Sequence, residues 1–110
     1  MKRVYLFCNA GMSTSLLASK MQKVANEYNL PIEVKAFSDS KMESIVNDFN
    51  PDVIFLGPQV KYRLEPTIEK FGHLKIPIEV ISLEDYGNVN GERVLKQAIL
   101  LMKGDKKWYV

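Results

Sequence analysis

The chain has a single cysteine, Cys8, which closes the apolar run Val4-Tyr5-Leu6-Phe7 and opens the stretch Cys8-Asn9-Ala10-Gly11-Met12-Ser13-Thr14-Ser15. A helical pattern follows at once. A strand, a tight loop carrying glycine and hydroxyls, then a helix is a physical recipe for holding an anion. Backbone N–H groups converge in such a loop, and the helix N-terminus adds partial positive charge. The same field favours the thiolate of a cysteine placed there, and that thiolate would face a bound phosphoryl group as an in-line nucleophile. A lone cysteine without this setting is more often a small buried hydrophobe. The neighbours of Cys8 favour chemistry, because the end of a central strand is where α/β sheets carry their sites.

The residues that could assist are few. Gln59 and Tyr62 follow the third apolar run, and Tyr86 precedes the last helical pattern. Each is a candidate to support the loop or its phosphate, and a structural contact remains open for each. Asp39 and Asp85 also follow strand ends, where an aspartate can protonate a leaving group, although capping or turn formation is the better reading in a chain of this kind. Met12 suits either docking of a partner or burial against the helix. His73, the only histidine, falls on the opposite edge of the expected sheet. One cysteine and one histidine far apart do not make a ligand set, so no metal and no cofactor is expected.

These residues must be positioned by an alternation of strands and helices. Apolar runs at Val4–Phe7, Ile32–Phe37, Val53–Leu56 and Ile78–Ile81 are separated by helical periodicities, which signals an α/β fold on a parallel sheet. The first helix is expected to begin near Ser13 to Ser15, bury Leu17, Met21, Val24, Ala25 and Tyr28, and stop before Pro31. Ser40-Lys41-Met42-Glu43 reads as a capping box for a second helix with Met42, Ile45, Val46 and Phe49 inward. The third helix carries Val60, Leu64, Ile68 and Phe71, with Pro66 either starting or kinking it. Asn90 caps the last helix, whose inner face is Val94, Leu95, Ala98, Ile99 and Met102, and Gly104 ends it. Gly57, Gly87 and Gly91 are read as serving backbone geometry.

Strand composition also orders the sheet. The first and third strands are apolar throughout, as strands buried on both faces should be, whereas Ile32-Glu33-Val34-Lys35 and Ile78-Glu79-Val80 alternate with charges as edge strands do. The expected architecture is a four-stranded parallel sheet, order 2-1-3-4, with helices on both faces. Its winding reverses between strands one and three, so the ligand-binding switch point lies between Cys8 and Gly57-Pro58-Gln59. One domain spans residues 1–104, and residues 105–110 are expected to fray, with docking of Trp108 and Tyr109 left open.

Composition excludes several classes. At 110 residues the chain forms one domain, and a net charge of +2 is too small to argue for nucleic acid. Lys20 and Lys23, and Lys103, Lys106 and Lys107 in the tail, read as solvated surface. No run reaches membrane-spanning length, and Met1-Lys2-Arg3 leads directly into a strand without a signal-peptide core, so a cytoplasmic protein with a reduced thiol is expected.

Two families share a cysteine loop on such a sheet. The low-molecular-weight protein tyrosine phosphatases, and the arsenate-reductase-like proteins of the same fold, are the first. The phosphatases use a Cys-x5-Arg loop, but Thr14 stands where the arginine should be, and no arginine lies between Arg3 and Arg63. Without a guanidinium fork a hydrolase loses both phosphate grip and transition-state charge stabilisation. The second resemblance is closer and covers nearly the whole chain: enzyme IIB components of the bacterial phosphoenolpyruvate-dependent sugar phosphotransferase system (PTS), lactose/cellobiose (chitobiose) type. It is carried by Val4 to Ser15, by Leu56-Gly57-Pro58-Gln59-Val60 with Tyr62, and by Asp85-Tyr86-Gly87-Asn88-Val89-Asn90-Gly91. The resemblance implies that Cys8 accepts a phosphoryl group from a phosphohistidine on IIA and passes it to a sugar translocated by the membrane component IIC. The loop from Asn9 through Ala10, Gly11, Met12, Ser13, Thr14 and Ser15 would then hold the phosphoryl oxygens. A carrier receives its phosphoryl group from a high-energy donor and must release it, which fits the absent arginine. A regulatory IIB-like module is the remaining alternative, and the sugar stays open among cellobiose, chitobiose, lichenan oligosaccharides and lactose.

Overall fold

A computed structural model describes residues 1–9 and 11–103, for Gly11 and Met12 the backbone only. Ala10 and the tail from Gly104, with Trp108 and Tyr109, lie outside the described residues, so the expectations placed on them are not addressed by it. The strands are β1 (Lys2–Cys8), β2 (Ile32–Ser38), β3 (Val53–Leu56) and β4 (Ile78–Val80). The helices are α1 (Gly11–Glu27), α2 (Met42–Phe49), α3 (Leu64–Phe71), α4 (Leu83–Gly87) and α5 (Gly91–Met102). All strand pairs are parallel and the order is β2-β1-β3-β4, as strand composition predicts.

Alternation along the central strands builds a core on each face. Val4 and Leu6 of β1, with Val53 and Phe55 of β3, meet Leu17, Met21 and Ala25 of α1 and Val94, Leu95 and Ala98 of α5. Tyr5 and Phe7, with Ile54 and Leu56, meet Met42 and Val46 of α2 and Phe71 of α3. Each large aliphatic side chain buried in this way contributes about 1.5–3 kcal/mol. The division of helices follows from handedness: right-handed crossovers place helices on opposite faces when the winding direction changes. α1 makes the step outward to β2, and α2 and α3 make the steps the other way.

Several local expectations are corrected. α1 starts at Gly11, so Ser13 to Ser15 lie inside it instead of at its start. It ends at Glu27, and the turn through Asn29 at φ 54° leaves Tyr28 exposed. The capping box at Ser40 does not form. β2 runs one residue further than its apolar pattern, and the Ser38 hydroxyl caps a 3-10 turn over Asp39–Lys41, so α2 begins at Met42 without a side-chain cap. Phe49 is partly exposed and lies under the Arg3 guanidinium. Val60 belongs to a 3-10 turn, Pro58–Arg63, and Pro66 sits in the first turn of α3, where a missing N–H costs nothing. β4 is one residue shorter than its apolar run, although the Ile81 amide still donates to Leu56. α4 is a short helix capped by Ser82. Asn90 does cap α5, its side chain accepting from the Arg93 amide.

Gly91 serves close approach: a Cβ there would lie 2.8 Å from Lys20 backbone and Cβ atoms, so α5 enters directly against α1. Gly87 does not need to be glycine, because nothing lies within 4 Å of a Cβ built on it.

Candidate functional site

Cys8 is the last residue of β1, in register with Ser38 of β2, and is only 2% exposed. By strand alternation its side chain falls on the face of α1, α4 and α5. Its partner strand there is the chain just beyond β3, where the Gly57 amide donates to the Phe7 carbonyl at 2.9 Å. A Cβ on Gly57 would stand 2.4 Å from the Cys8 Sγ. The absent side chain is therefore what lets the sulfur nest against the neighbouring backbone. Pro58 then fixes the direction of the turn, and buried Val60 anchors it.

That turn delivers Gln59, whose Oε1 lies 3.3 Å from Sγ and accepts from the thiol. Asn9 Oδ1 is a longer contact at 3.9 Å. A thiol has one proton, so the shorter contact takes it. Tyr86 of α4 approaches from below the sheet end, with its hydroxyl 3.9 Å from Sγ and 2.9 Å from the Thr14 hydroxyl. Burial raises the Tyr86 phenol above its ordinary value; the hydrogen bond to Thr14 opposes the rise, and Cys8 adds to it. The phenol therefore stays protonated and can donate to an acceptor, including a sulfur anion.

The residues that sequence singled out are thus treated unequally. Cys8, Gln59 and Tyr86 come together with Thr14, and Ser13 also acts on the Tyr86 phenol, while Asn9 after β1 and Ser13 and Ser15 in α1 are exposed. Tyr62 points elsewhere: it is 67% exposed, and its ring meets the Arg63 guanidinium at 5.9 Å. Asp39 is paired to Arg63 at 2.6 Å and buried Asp85 to Arg93 at 3.5 Å, which gives both aspartates structural partners. His73 lies in the Gly72–Leu74 turn that leads into β4, at the far edge of the sheet from Cys8. Among the described residues, no group of three or more His, Cys, Asp or Glu is placed to hold a metal.

Two features of the site were not legible as chemistry. The Thr14–Tyr86 bond joins residues 72 apart in sequence. Arg63 joins the turns after β2 and β3 through Asp39, and no local pattern announces that pair.

The whole arrangement has relatives. A family model described as the lactose/cellobiose-specific IIB subunit of the PTS system matches residues 3–97. The galactose-specific EIIB component of Lactococcus lactis subsp. cremoris is 40% identical over 104 residues, covering 92% of this chain and 96% of that protein. The cellobiose-specific EIIB component of Lactococcus lactis subsp. lactis is 39% identical over the same length and coverage. The solution structure of the cellobiose-specific IIB component from Borrelia burgdorferi superposes with a TM-score of 0.76 at 34% identity, covering 94% of this chain and 93% of that one. The matched stretch includes both lips of the switch point, Cys8 and Gln59, so the chain belongs to the lactose/cellobiose IIB family and is a sugar phosphotransferase component of the PTS.

Proposed function

We propose that Cys8 is the residue of this IIB component that carries the phosphoryl group. The observation that supports it is the placement of the only thiol at the end of a central strand, between the start of α1 and the Gly57–Gln59 turn. In the first step a lone pair of the Cys8 sulfur anion attacks phosphorus on a phosphohistidine of IIA. An S–P bond forms, the N–P bond breaks, and its electron pair stays on the imidazole nitrogen. In the second step a sugar hydroxyl oxygen presented by IIC attacks the same phosphorus. The O–P bond forms, the S–P pair returns to sulfur as thiolate, and the hydroxyl proton leaves to base on the acceptor side.

This chain contributes the nucleophile, the start of α1 that follows it, whose backbone N–H groups would hold the phosphoryl oxygens, and the neutral Tyr86 donor. The loop has no arginine, so it grips less than a phosphatase loop and releases its cargo to a partner. The acceptor is proposed to be a β-linked disaccharide or oligosaccharide, chosen mainly by IIC. No helix among the described residues is long and apolar enough to cross a membrane, which suits action on the cytoplasmic side of IIC.

The test is phosphorylation by phosphoenolpyruvate, the general PTS proteins and a IIA partner, read by intact mass and peptide mapping. The parent protein gains one phosphoryl group on Cys8 and loses it when IIC and the sugar are added. Cys8→Ser folds but gains none, since a serine hydroxyl is a far weaker nucleophile than thiolate at neutral pH. Phosphoryl incorporation into Cys8→Ser would refute the assignment. Fast release of free phosphate without sugar would make the protein a phosphatase, and an adduct that no sugar discharges would make it a regulatory module.

A further inference from the structure

We propose that Gln59 is a positioning residue whose carboxamide reverses end for end as Cys8 ionises, accepting the thiol proton through Oε1 and donating to the thiolate through Nε2. The inference deepens the reading of Cys8 as the phosphoryl carrier and rests on it. In the structure Oε1 is 3.3 Å from Sγ, the thiol-bound orientation. The backbone that presents it is rigid: Pro58 opens the turn, Val60 is fully buried, and the Val60 amide donates to the Gly57 carbonyl at 3.0 Å. Oε1 also lies 3.4 Å from the point where a Gly57 Cβ would stand, so sulfur and carboxamide converge on the space that glycine leaves open. Gln59 itself is exposed, and the terminal torsion of an amide is broad and nearly two-fold. Half a turn therefore exchanges acceptor for donor without moving the backbone.

The chemistry needs both ends. A thiol is a donor and a thiolate only an acceptor, so a fixed Oε1 would oppose ionisation and a fixed ammonium would trap the anion. A charge-assisted bond to the thiolate is stronger than the weak S–H···O bond it replaces, so reversal favours the nucleophile on balance. The same N–H would stabilise sulfur when it leaves as thiolate in the second transfer. Other groups lie around the sulfur. α4 supplies Tyr86, the titratable group in contact with Sγ, and α1 supplies Thr14, whose hydroxyl is engaged by Tyr86. β2 brings Ser38 in register, followed by Asp39 held on Arg63, and Asn9 lies beside the sulfur on its own segment.

Because Cys8 is the only cysteine, whole-protein alkylation by iodoacetamide reads it alone. Its rate is followed against pH in the parent and in Gln59→Leu, Gln59→Glu and Gln59→Lys, with thermal melting confirming that each variant folds. The half-maximal pH is expected to rise in Gln59→Leu and to rise further in Gln59→Glu, by about one unit, or roughly tenfold less thiolate at fixed neutral pH. It should fall in Gln59→Lys, which can only donate. A midpoint in Gln59→Leu equal to the parent's overturns the inference, whether or not the charged variants move, because the amide would then supply no net bond to the anion. Rates that change in scale with fixed midpoints overturn it too, leaving Gln59 as a shield. Alkylation needs no PTS partner, so failure of IIA to phosphorylate Cys8 would sink the carrier reading separately.

Discussion

Replacing Gly57 by alanine would put a methyl carbon 2.4 Å from the Cys8 sulfur and 2.9 Å from its Cβ. Ordinary contacts between such atoms are about 3.5–4.0 Å, so the overlap is roughly 1 Å or more at the sulfur and about 0.6–1 Å at Cβ. Rotating the thiol away relieves only the first contact and costs the hydrogen bond to Gln59. The second involves Cys8 Cβ, which β1 holds through ladders to β2 and β3. The Gly57 amide is itself tied to Phe7 at 2.9 Å, so relief requires the two central chains to part locally. Overpacking of this kind costs about 1–3 kcal/mol, which lowers the melting temperature of a domain this size by about 5–15 °C. The assay is a thermal melt of Gly57→Ala beside the iodoacetamide rate at Cys8. A double-mutant cycle locates the clash: in a Cys8→Ala background the sulfur contact is gone and the Cβ contact remains, so the alanine penalty should shrink by about 1 kcal/mol. A Gly57→Ala protein that melts with the parent and alkylates at the parental rate would refute this account of the nucleophile's seat.

Gly91→Ala should cost a further 1–3 kcal/mol or so by pushing α5 off the Lys20–Met21 backbone, whereas Gly87→Ala, with open space around it, should be neutral or stabilise by about 0.5–1 kcal/mol; paired urea unfolding curves distinguish them. Tyr86→Phe removes the hydroxyl shared by Thr14 and Cys8 and should lower unfolding stability by about 1 kcal/mol, read from the same curves. Burial, with the hydrogen bond and charge of Glu33, pushes the Tyr5 phenol up from 10.0 to about 12. Its folded pKa exceeds its unfolded one, so its contribution is fully present below pH 10 and is lost as pH rises through 12, to a limit of about 2–3 kcal/mol. Tyr86 acts in the same direction. Urea midpoints compared at mildly alkaline and strongly alkaline pH should fall less in Tyr5→Phe than in the parent, and an equal fall would reject that assignment.

Sequence alone determined the sheet order, because burial on both faces demands apolar residues at every position of the Val4–Phe7 and Val53–Leu56 strands, while Glu33, Lys35 and Glu79 are tolerated only at edges. Once the order was known, the switch point followed, and with it the placement of Cys8 opposite Gln59. Helix faces were legible for the same reason, since a 3.6-residue period is a local property; α5 shows it in Val94, Leu95 and Ala98. The starts of α1 and α2 were not, because Ser13, Ser15 and Ser40 can each cap a helix, and the choice depends on where β1 and β2 stop pairing. Tertiary structure decided which side chains reach the sulfur. Gln59 and Tyr62 are three residues apart in one turn, yet one contacts Sγ and the other faces solvent, because Pro58 and buried Val60 set the turn's direction. Thr14 and Tyr86 meet through a contact that no local pattern encodes: α4 must first be seated after β4 and α1 after β1. The residue that can be a nucleophile is written in the chain, but its partners are selected by packing.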